Sequence, residues 1–127
     1  MLARHSYRQG WGLPGGMLGW SEEPEVAIHR EVAEELGIQV VETGPLVIRH
    51  RRRPRRMEYY FSLGLRSGVT PESVAPASPE IEEVRWFDVD DLPRLERRPG
   101  NTSEVLPMLL ARRFPERFPA PTDILDR

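Results

Sequence analysis

The stretch GMLGWSEEPEVAIHREVAEELGI, from Gly16 to Ile38, carries the clearest structural signal in the sequence. Pro24 suits the first position of a helix, where its missing amide hydrogen costs nothing, and Gly37 suits the position after the last turn. Apolar residues recur between them at helical spacing. The predicted buried stripe consists of Ala27 or Ile28, Val32 and Leu36. The stretch therefore predicts an amphipathic helix preceded by a glycine-containing loop.

Three carboxylates lie within one turn of this predicted helix, at Glu31, Glu34 and Glu35. We expect them to face away from the apolar stripe and to bring their oxygens into a small volume. Neighbouring like charges repel, so a divalent cation is the simplest partner for them. Hard oxygen ligands favour Mg²⁺ or Mn²⁺ over softer metals. The alternative interpretation is a solvated acidic helix face that binds no metal.

The spacing of residues across the stretch resembles the Nudix box at every fixed position. These positions are Gly16, Glu22, Arg30, Glu31, Val32, Glu34, Glu35, Gly37 and Ile38. The resemblance implies an α+β fold, the Nudix α/β/α sandwich with a mixed β-sheet, formed by a single domain over residues 1–127. It also implies a MutT-like, metal-dependent pyrophosphohydrolase.

The resemblance assigns roles to individual residues. Glu31, Glu34 and Glu35 would bind Mg²⁺ or Mn²⁺, with one of them able to act as the base, and Gly15 could offer its carbonyl oxygen to the metal. Arg30 would hold Glu22 and the neighbouring carboxylates by ion pairing. A further acidic residue comes from a later segment in this family, and Glu80 is the first choice here, with Glu83 the second. The implied catalytic set is Glu22, Arg30, Glu31, Glu34, Glu35 and Glu80.

The implied substrate is a nucleoside diphosphate linked to another group: ADP-ribose, a nucleotide sugar, a dinucleoside polyphosphate or a nucleoside triphosphate. Six arginines between Arg49 and Arg56 could contact its phosphates, with Arg52 and Arg53 as candidates, although a solvated hairpin tip explains them too. The competing hypothesis is a catalytically silent Nudix-fold module that binds a nucleotide or RNA.

The remaining elements are predicted from local patterns. Met1–His5 is a strand candidate, and the resemblance implies a further strand before it, so we expect an open sheet edge that a homodimer could cover. Two strands are predicted at Pro45–Arg49 and Met57–Leu65, joined by a charged tip, and a further strand runs from Ile81 and ends at Asp88. A loop is predicted at Ser67–Pro79. A helix is predicted at Ser103–Phe114, capped by Asn101–Ser103, and a C-terminal tail follows at 115–127.

Composition narrows the remaining possibilities. The chain has 127 residues, a net charge of −2 and no cysteine, which excludes disulfides and thiolate metal sites. It has no long apolar run and no apolar leader, so we expect a cytoplasmic protein without membrane contact. No nucleic-acid-binding motif is evident, which makes a nucleic-acid partner an unfavoured interpretation.

Overall fold

A computed structural model describes residues 1–97 and 102–118 of the chain. The strands are β1 (Leu2–His5), β2 (Val40–Glu42), β3 (Val47–Arg52), β4 (Arg55–Tyr60), β5 (Leu63–Leu65) and β6 (Ile81–Arg85). The helices are α1 (Pro24–Leu36) and α2 (Thr102–Arg113), with a short 3-10 turn at Pro71–Ser73. The predicted α+β class is confirmed.

The strands pair as antiparallel two-stranded ladders: β1 with β6, β2 with β5, and β3 with β4. Two isolated bridges extend the first ladder, because Ala3 pairs antiparallel with Gly12 and Trp11 pairs parallel with Leu95. Within residues 1–97 and 102–118, the bridge between Trp11 and Leu95 is the one parallel pairing, and a mixed sheet contains parallel as well as antiparallel pairings. The loop before α1 is thereby tied both to β1 and to the chain around Leu95.

Helix α1 forms as its sequence predicts. It begins at Pro24, and Gly37 ends it in the left-handed conformation with φ of 65°, donating its N–H to the carbonyl of Ala33. Val32 and Leu36 are buried together with Val74 at the centre of the core. Partly buried apolar side chains from the surrounding strands and loops pack against them, namely Met1, Ile28, Ile38, Val40, Leu63, Leu65 and Val84. Burial of this stripe fixes the rotation of α1 and hence the direction of its acidic side chains.

The predicted hairpin with a charged tip is formed by β3 and β4. Arg51 lies opposite Arg56, an arrangement of like charges that would destabilise the pair by itself. Glu58 offsets this repulsion, since its carboxylate lies within 3.6 Å of Arg49 and Arg51 and 2.8 Å from Arg56. The strand predicted at Met57–Leu65 is divided into β4 and β5, which join different ladders.

Other predicted bounds need correction. The short strand β2 was not predicted, and β6 ends at Arg85 rather than Asp88 because Arg85 pairs with Leu2, the first residue of β1. Helix α2 is one residue offset from its predicted bounds. Asn101 and residues 119–127 of the expected tail lie outside the described residues. None of the helices in the described residues is long and apolar enough to span a membrane.

Replacement of Gly12 by alanine should destabilise the fold. A Cβ at this position would lie 2.4 Å from the carboxylate of Glu96, a residue that is 1% exposed and has no room to move aside. We expect Gly12→Ala to lower the free energy of unfolding by about 1–3 kcal/mol, measured by denaturant titration. Gly19→Ala is the control, since its Cβ would come within 3.1 Å of the Glu22 side-chain tip alone. Equal stability of the two variants would contradict this packing.

Candidate active site

The loop from Gly15 to Glu22 is held against α1 by the acidic residues that the sequence singled out. Gly15 has φ of 140°, a backbone conformation that other residues rarely adopt, and its N–H donates to Oε2 of Glu35 at 3.2 Å. The N–H of Gly19 donates to Oε1 of Glu22 at 2.8 Å. The conformation of the loop therefore depends on the carboxylates beside it.

Arg30 lies at the centre of this arrangement and contacts three carboxylates. Its Nε and Nη2 donate to Glu22 at 2.8 and 2.9 Å, and its Nη1 lies 2.9 Å from Glu31 and 3.2 Å from Glu34. Its Nη2 also donates to the carbonyl of Met17 at 3.2 Å. The ion pairs expected around Arg30 are therefore present, and they join α1 to the loop.

These contacts keep the network charged. Hydrogen bonds from Arg30, together with one from Gly19, lower the pKa of Glu22 to about 2. The hydrogen bonds to Glu22 and Glu31 raise the pKa of the Arg30 guanidinium above its ordinary value. Glu22 and Arg30 therefore remain an ion pair at every pH at which the protein would be studied.

Glu31 and Glu34 have different surroundings although both pair with Arg30. A Cβ on Gly16 would lie 2.5 Å from the Glu31 carboxylate, so this carboxylate packs directly over the glycine. The Glu31 side chain is 15% exposed, whereas that of Glu34 is 59% exposed. Glu31 is thus enclosed between the loop and α1, and Glu34 lies at the solvent side of the network.

Glu35 is buried, contrary to the expectation that all three glutamates face away from the core. The residue is 4% exposed, because it lies three positions after Val32 and therefore at the edge of the apolar stripe. Burial raises the pKa of Glu35 to about 7, and this effect outweighs the hydrogen bond from Gly15. The charges of Glu31 and Glu80 raise the pKa further, while that of Arg8 lowers it.

Glu80 is placed near this group, and Glu83 is not shown to join it. Glu80 immediately precedes β6, and its carbonyl accepts a hydrogen bond from the N–H of Ser6 at 2.9 Å. Its charge acts on Glu35 and on His5. Glu83 pairs instead with Arg4 at 3.0 Å and with Arg85. Of the two acidic residues named from the sequence, Glu80 is therefore the one whose charge acts on Glu35.

A second buried ion pair lies beside the site and was not predicted. Glu96 accepts hydrogen bonds from Nη1 of Arg8 at 3.3 Å and from the hydroxyl of Thr102 at 3.0 Å. The neighbouring His5 is 2% exposed, and burial, followed by the charge of Arg8, lowers its pKa. The sequence signal that could have indicated this ion pair is the glycine at position 12, because the absence of a side chain there leaves the space that the Glu96 carboxylate fills.

A family model described as the NUDIX domain matches residues 1–120. The chain belongs to the Nudix family. The match covers nearly the whole chain and includes the Arg30 network, the buried Glu35 and the strand that follows Glu80.

Curated relatives of this Nudix chain are named "NAD-capped RNA hydrolase NudC". The protein from Pseudomonas syringae pv. syringae is 34% identical over 98% of the chain and 43% of its own length. That from Stutzerimonas stutzeri is 32% identical over 90% of the chain and 41% of its own length, and that from Deinococcus radiodurans is 33% identical over 63% and 27%. The chain thus spans less than half the length of each of these relatives.

The comparisons bear on one of the sequence-based expectations. Because the names of the relatives include RNA, the expectation that nucleic acid is an unfavoured partner is not confirmed. No solved structure gives a significant match to the chain.

Nudix enzymes generally use divalent metal ions, and the donor chemistry at this site fits such an ion. In residues 1–97 and 102–118, no three acidic or histidine side chains form a ready-made metal site, and Glu31 and Glu34 are paired with Arg30. The charges of Glu31 and Glu80 nevertheless both act on Glu35, and all three carboxylates offer hard oxygen donors. Such a set is suited to Mg²⁺ or Mn²⁺.

Arg52 and Arg53 lie at the tip of the β3–β4 hairpin, where Arg52 faces Arg55 and Arg53 occupies the turn. Both are exposed, and neither forms an ion pair with the part of the chain that the structure describes. The hairpin belongs to a different ladder from β6, the strand that Glu80 precedes. Their assignment to substrate binding stays a prediction.

Metal-free protein should become less stable as the pH rises from 5 to 8. Glu35 has a pKa of about 7 in the folded protein against an ordinary value of 4.5, so its neutral form is favoured by folding. The resulting stabilisation is fully present below the unfolded pKa and is lost as the pH rises through the folded pKa. The melting temperature in EDTA should therefore fall by several degrees over this range.

Two variants isolate the contribution of Glu35 to this pH dependence. The side chain in Glu35→Gln remains neutral at every pH, so the part of the fall in melting temperature that is due to Glu35 should be absent from this variant. Glu25→Gln, on the exposed first turn of α1, should melt with the pH profile of the unmodified protein. An identical profile for Glu35→Gln would show that Glu35 does not have a raised pKa.

Proposed function

We propose that the chain is a metal-dependent pyrophosphohydrolase that cleaves a phosphoanhydride bond in a nucleoside diphosphate linked to another group. The observation that carries this proposal is the buried Glu35 carboxyl, which faces Gly15 and shares its surroundings with the charges of Glu31 and Glu80. A buried acidic group with a strongly shifted pKa beside other carboxylates is typical of a catalytic site. Membership of the Nudix family supports the same reaction.

The reaction is an attack of water on one phosphorus atom of the anhydride. The bond from that phosphorus to the bridging oxygen breaks, and the second phosphate leaves with the bridging oxygen. A Mg²⁺ or Mn²⁺ ion held at this site would neutralise phosphate oxygens and lower the pKa of the attacking water. Glu31, Glu35 and Glu80 would hold the ion, with Glu34 and the carbonyl oxygen of Gly15 as further ligands.

The remaining residues position this centre. Arg30 holds Glu22, Glu31 and Glu34 and fixes the loop through the carbonyl of Met17. Glu35 has a pKa of about 7, in the range in which a carboxyl can exchange a proton near neutral pH. Glu31, Glu34 and Glu35 all remain candidates for the base, because the contacts do not single one out.

The substrate proposed first is an NAD-type dinucleotide, either free or at the 5′ end of RNA. This choice follows from the names of the relatives, which describe hydrolysis of NAD-capped RNA by longer proteins. ADP-ribose, nucleotide sugars, dinucleoside polyphosphates and nucleoside triphosphates contain the same anhydride bond and belong in the same screen. The product formed identifies which phosphorus is attacked.

Replacement of either Glu34 or Glu35 should strongly reduce metal-dependent turnover. We expect Glu35→Gln to reduce kcat by at least about 100-fold on the best substrate of the screen, because it removes a negative oxygen ligand and a proton acceptor. Glu34→Gln should reduce turnover as well, through a lost ligand and a lost partner of Arg30. EDTA should stop the reaction of the unmodified protein, and added Mg²⁺ should restore it.

The control for these variants is Glu25→Gln, which changes an exposed acidic residue on the same helix. It should retain full turnover. Circular dichroism and melting in the presence of Mg²⁺ check that each variant is folded. Unchanged turnover in both Glu34→Gln and Glu35→Gln would reject the site, and a lack of turnover in unmodified protein that still binds a nucleotide would favour the silent binding module.

The hairpin tip is tested by neutralising Arg52 and Arg53 together. If these guanidinium groups contact substrate phosphate, Arg52→Gln/Arg53→Gln should raise KM about tenfold with kcat unchanged, since the contacts are made equally in the ground state and the transition state. Steady-state kinetics at low and high salt measure this. An unchanged KM would assign the tip to solvated surface.

A further inference from the structure

An open cavity of about 460 Å³ has three arginines among its six lining residues. Its lining consists of Tyr7, Arg8, Gln9, Arg94, Leu95 and Arg97. Three of these six residues carry guanidinium groups, and none of the six is acidic. The volume is within the range of small-molecule sites and exceeds what a single inorganic ion needs.

The walls of the cavity are fixed by backbone hydrogen bonds. The N–H of Trp11 donates to the carbonyl of Arg94 at 3.0 Å, and the N–H of Glu96 donates to the carbonyl of Trp11 at 2.9 Å. A Cβ on Gly10 would lie 3.0 Å from the backbone of Leu95 and Glu96, so the two segments are in close contact. The arginines at 8, 94 and 97 are thereby carried on adjoining pieces of chain.

Arg8 connects the cavity with the acidic site. One side of its guanidinium is held by the buried Glu96, and its Nε is buried without a hydrogen-bond partner in the described residues. Its guanidinium carbon lies 4.9 Å from the centre of the Tyr7 ring, and Tyr7 is 60% exposed. Ser6, which precedes Tyr7, donates its N–H to the carbonyl of Glu80 at 2.9 Å, so the cavity adjoins the segment that carries Glu80.

We propose that this cavity binds a phosphate ester group that the substrate carries beyond the diphosphate to be cleaved. This inference rests on the proposed function. Arginine binds phosphate oxygens through paired N–H groups, and Arg94 and Arg97 are exposed and form no ion pair within residues 1–97 and 102–118. The exposed Tyr7 ring, already contacted by Arg8, offers a stacking surface for a base attached to that phosphate.

Two kinds of substrate would present this group. One is a dinucleotide with an additional free phosphate on its ribose, and the other is a dinucleotide extended by a further nucleotide through a phosphodiester. The phosphate is common to both, whereas a base that reaches Tyr7 is present only in the second. Comparison of the two therefore distinguishes a phosphate site from a nucleotide site.

The test compares the unmodified protein with Arg94→Gln/Arg97→Gln on three substrates. These are NAD, NAD with a phosphate on the 3′ oxygen of its adenosine, and NAD extended at that oxygen by one nucleotide. The double variant should raise KM for both extended substrates about tenfold and leave KM for NAD and all kcat values unchanged. The slope of log kcat/KM against log salt for the extended substrates should become shallower by about 1 for each lost phosphate contact.

The matched control is Arg66→Gln/Arg112→Gln, which removes two arginines that do not line this cavity. It should leave all three KM values unchanged. A Tyr7→Ala variant should raise KM for the nucleotide-extended substrate alone if a base stacks on the ring. Equal KM values for NAD and both extended substrates in the unmodified protein, or an unaltered KM in Arg94→Gln/Arg97→Gln, would overturn the proposal.

A failure of the proposed function would give a different result. If the unmodified protein turns over none of the three compounds, calorimetric titration with the same compounds without metal decides the question. Tighter binding of the phosphate-bearing compounds, lost in Arg94→Gln/Arg97→Gln and kept in the control, would establish the cavity in a protein without hydrolase activity. Equal binding of all three compounds would reject the cavity as a phosphate site and leave the proposed hydrolysis to be decided by the substrate screen.

Discussion

The arrangement of the site depends on the balance of charge around Arg30. Glu22, Glu31 and Glu34 surround a single guanidinium, which also donates to the backbone carbonyl of Met17. Without this cation, the three carboxylates would repel one another, and the loop before α1 would lose its link to the helix. The same group of contacts therefore orders the loop and keeps a high density of negative charge in one place.

Glu35 differs from its neighbours because Arg30 does not neutralise it. Its described hydrogen bond comes from the N–H of Gly15, and its charged form is opposed by burial and by the charges of Glu31 and Glu80. A buried carboxyl in these surroundings either carries a proton or is compensated by a cation. The fold thus separates acidic groups that hold the loop from an acidic group whose charge remains to be balanced.

The part of the site that lies on α1 could be predicted because its signals are local. Pro24 and Gly37 mark the helix ends, and the spacing of the box names the residues around Arg30. The burial of Glu35 could not be read from the helix alone, since it depends on what packs at the edge of the stripe. Arg8 and Glu96 are 88 residues apart in the chain, and the glycine at position 12 is the one local sequence feature that indicates their pairing.

Two carboxylates pack directly against the backbone of the glycine-rich loop, at positions where a side chain would not fit. A Cβ at Gly12 would meet Glu96, and a Cβ at Gly16 would meet Glu31, in both cases closer than atoms can approach. Each of these carboxylates is in turn paired with an arginine, Glu96 with Arg8 and Glu31 with Arg30. The short segment from Gly12 to Gly16 therefore runs between two ion pairs, so its path is fixed from both sides. Under the proposed function, a substrate held at both of its ends would need such a rigid boundary between its binding sites, because movement of either ion pair would shift the reacting phosphate.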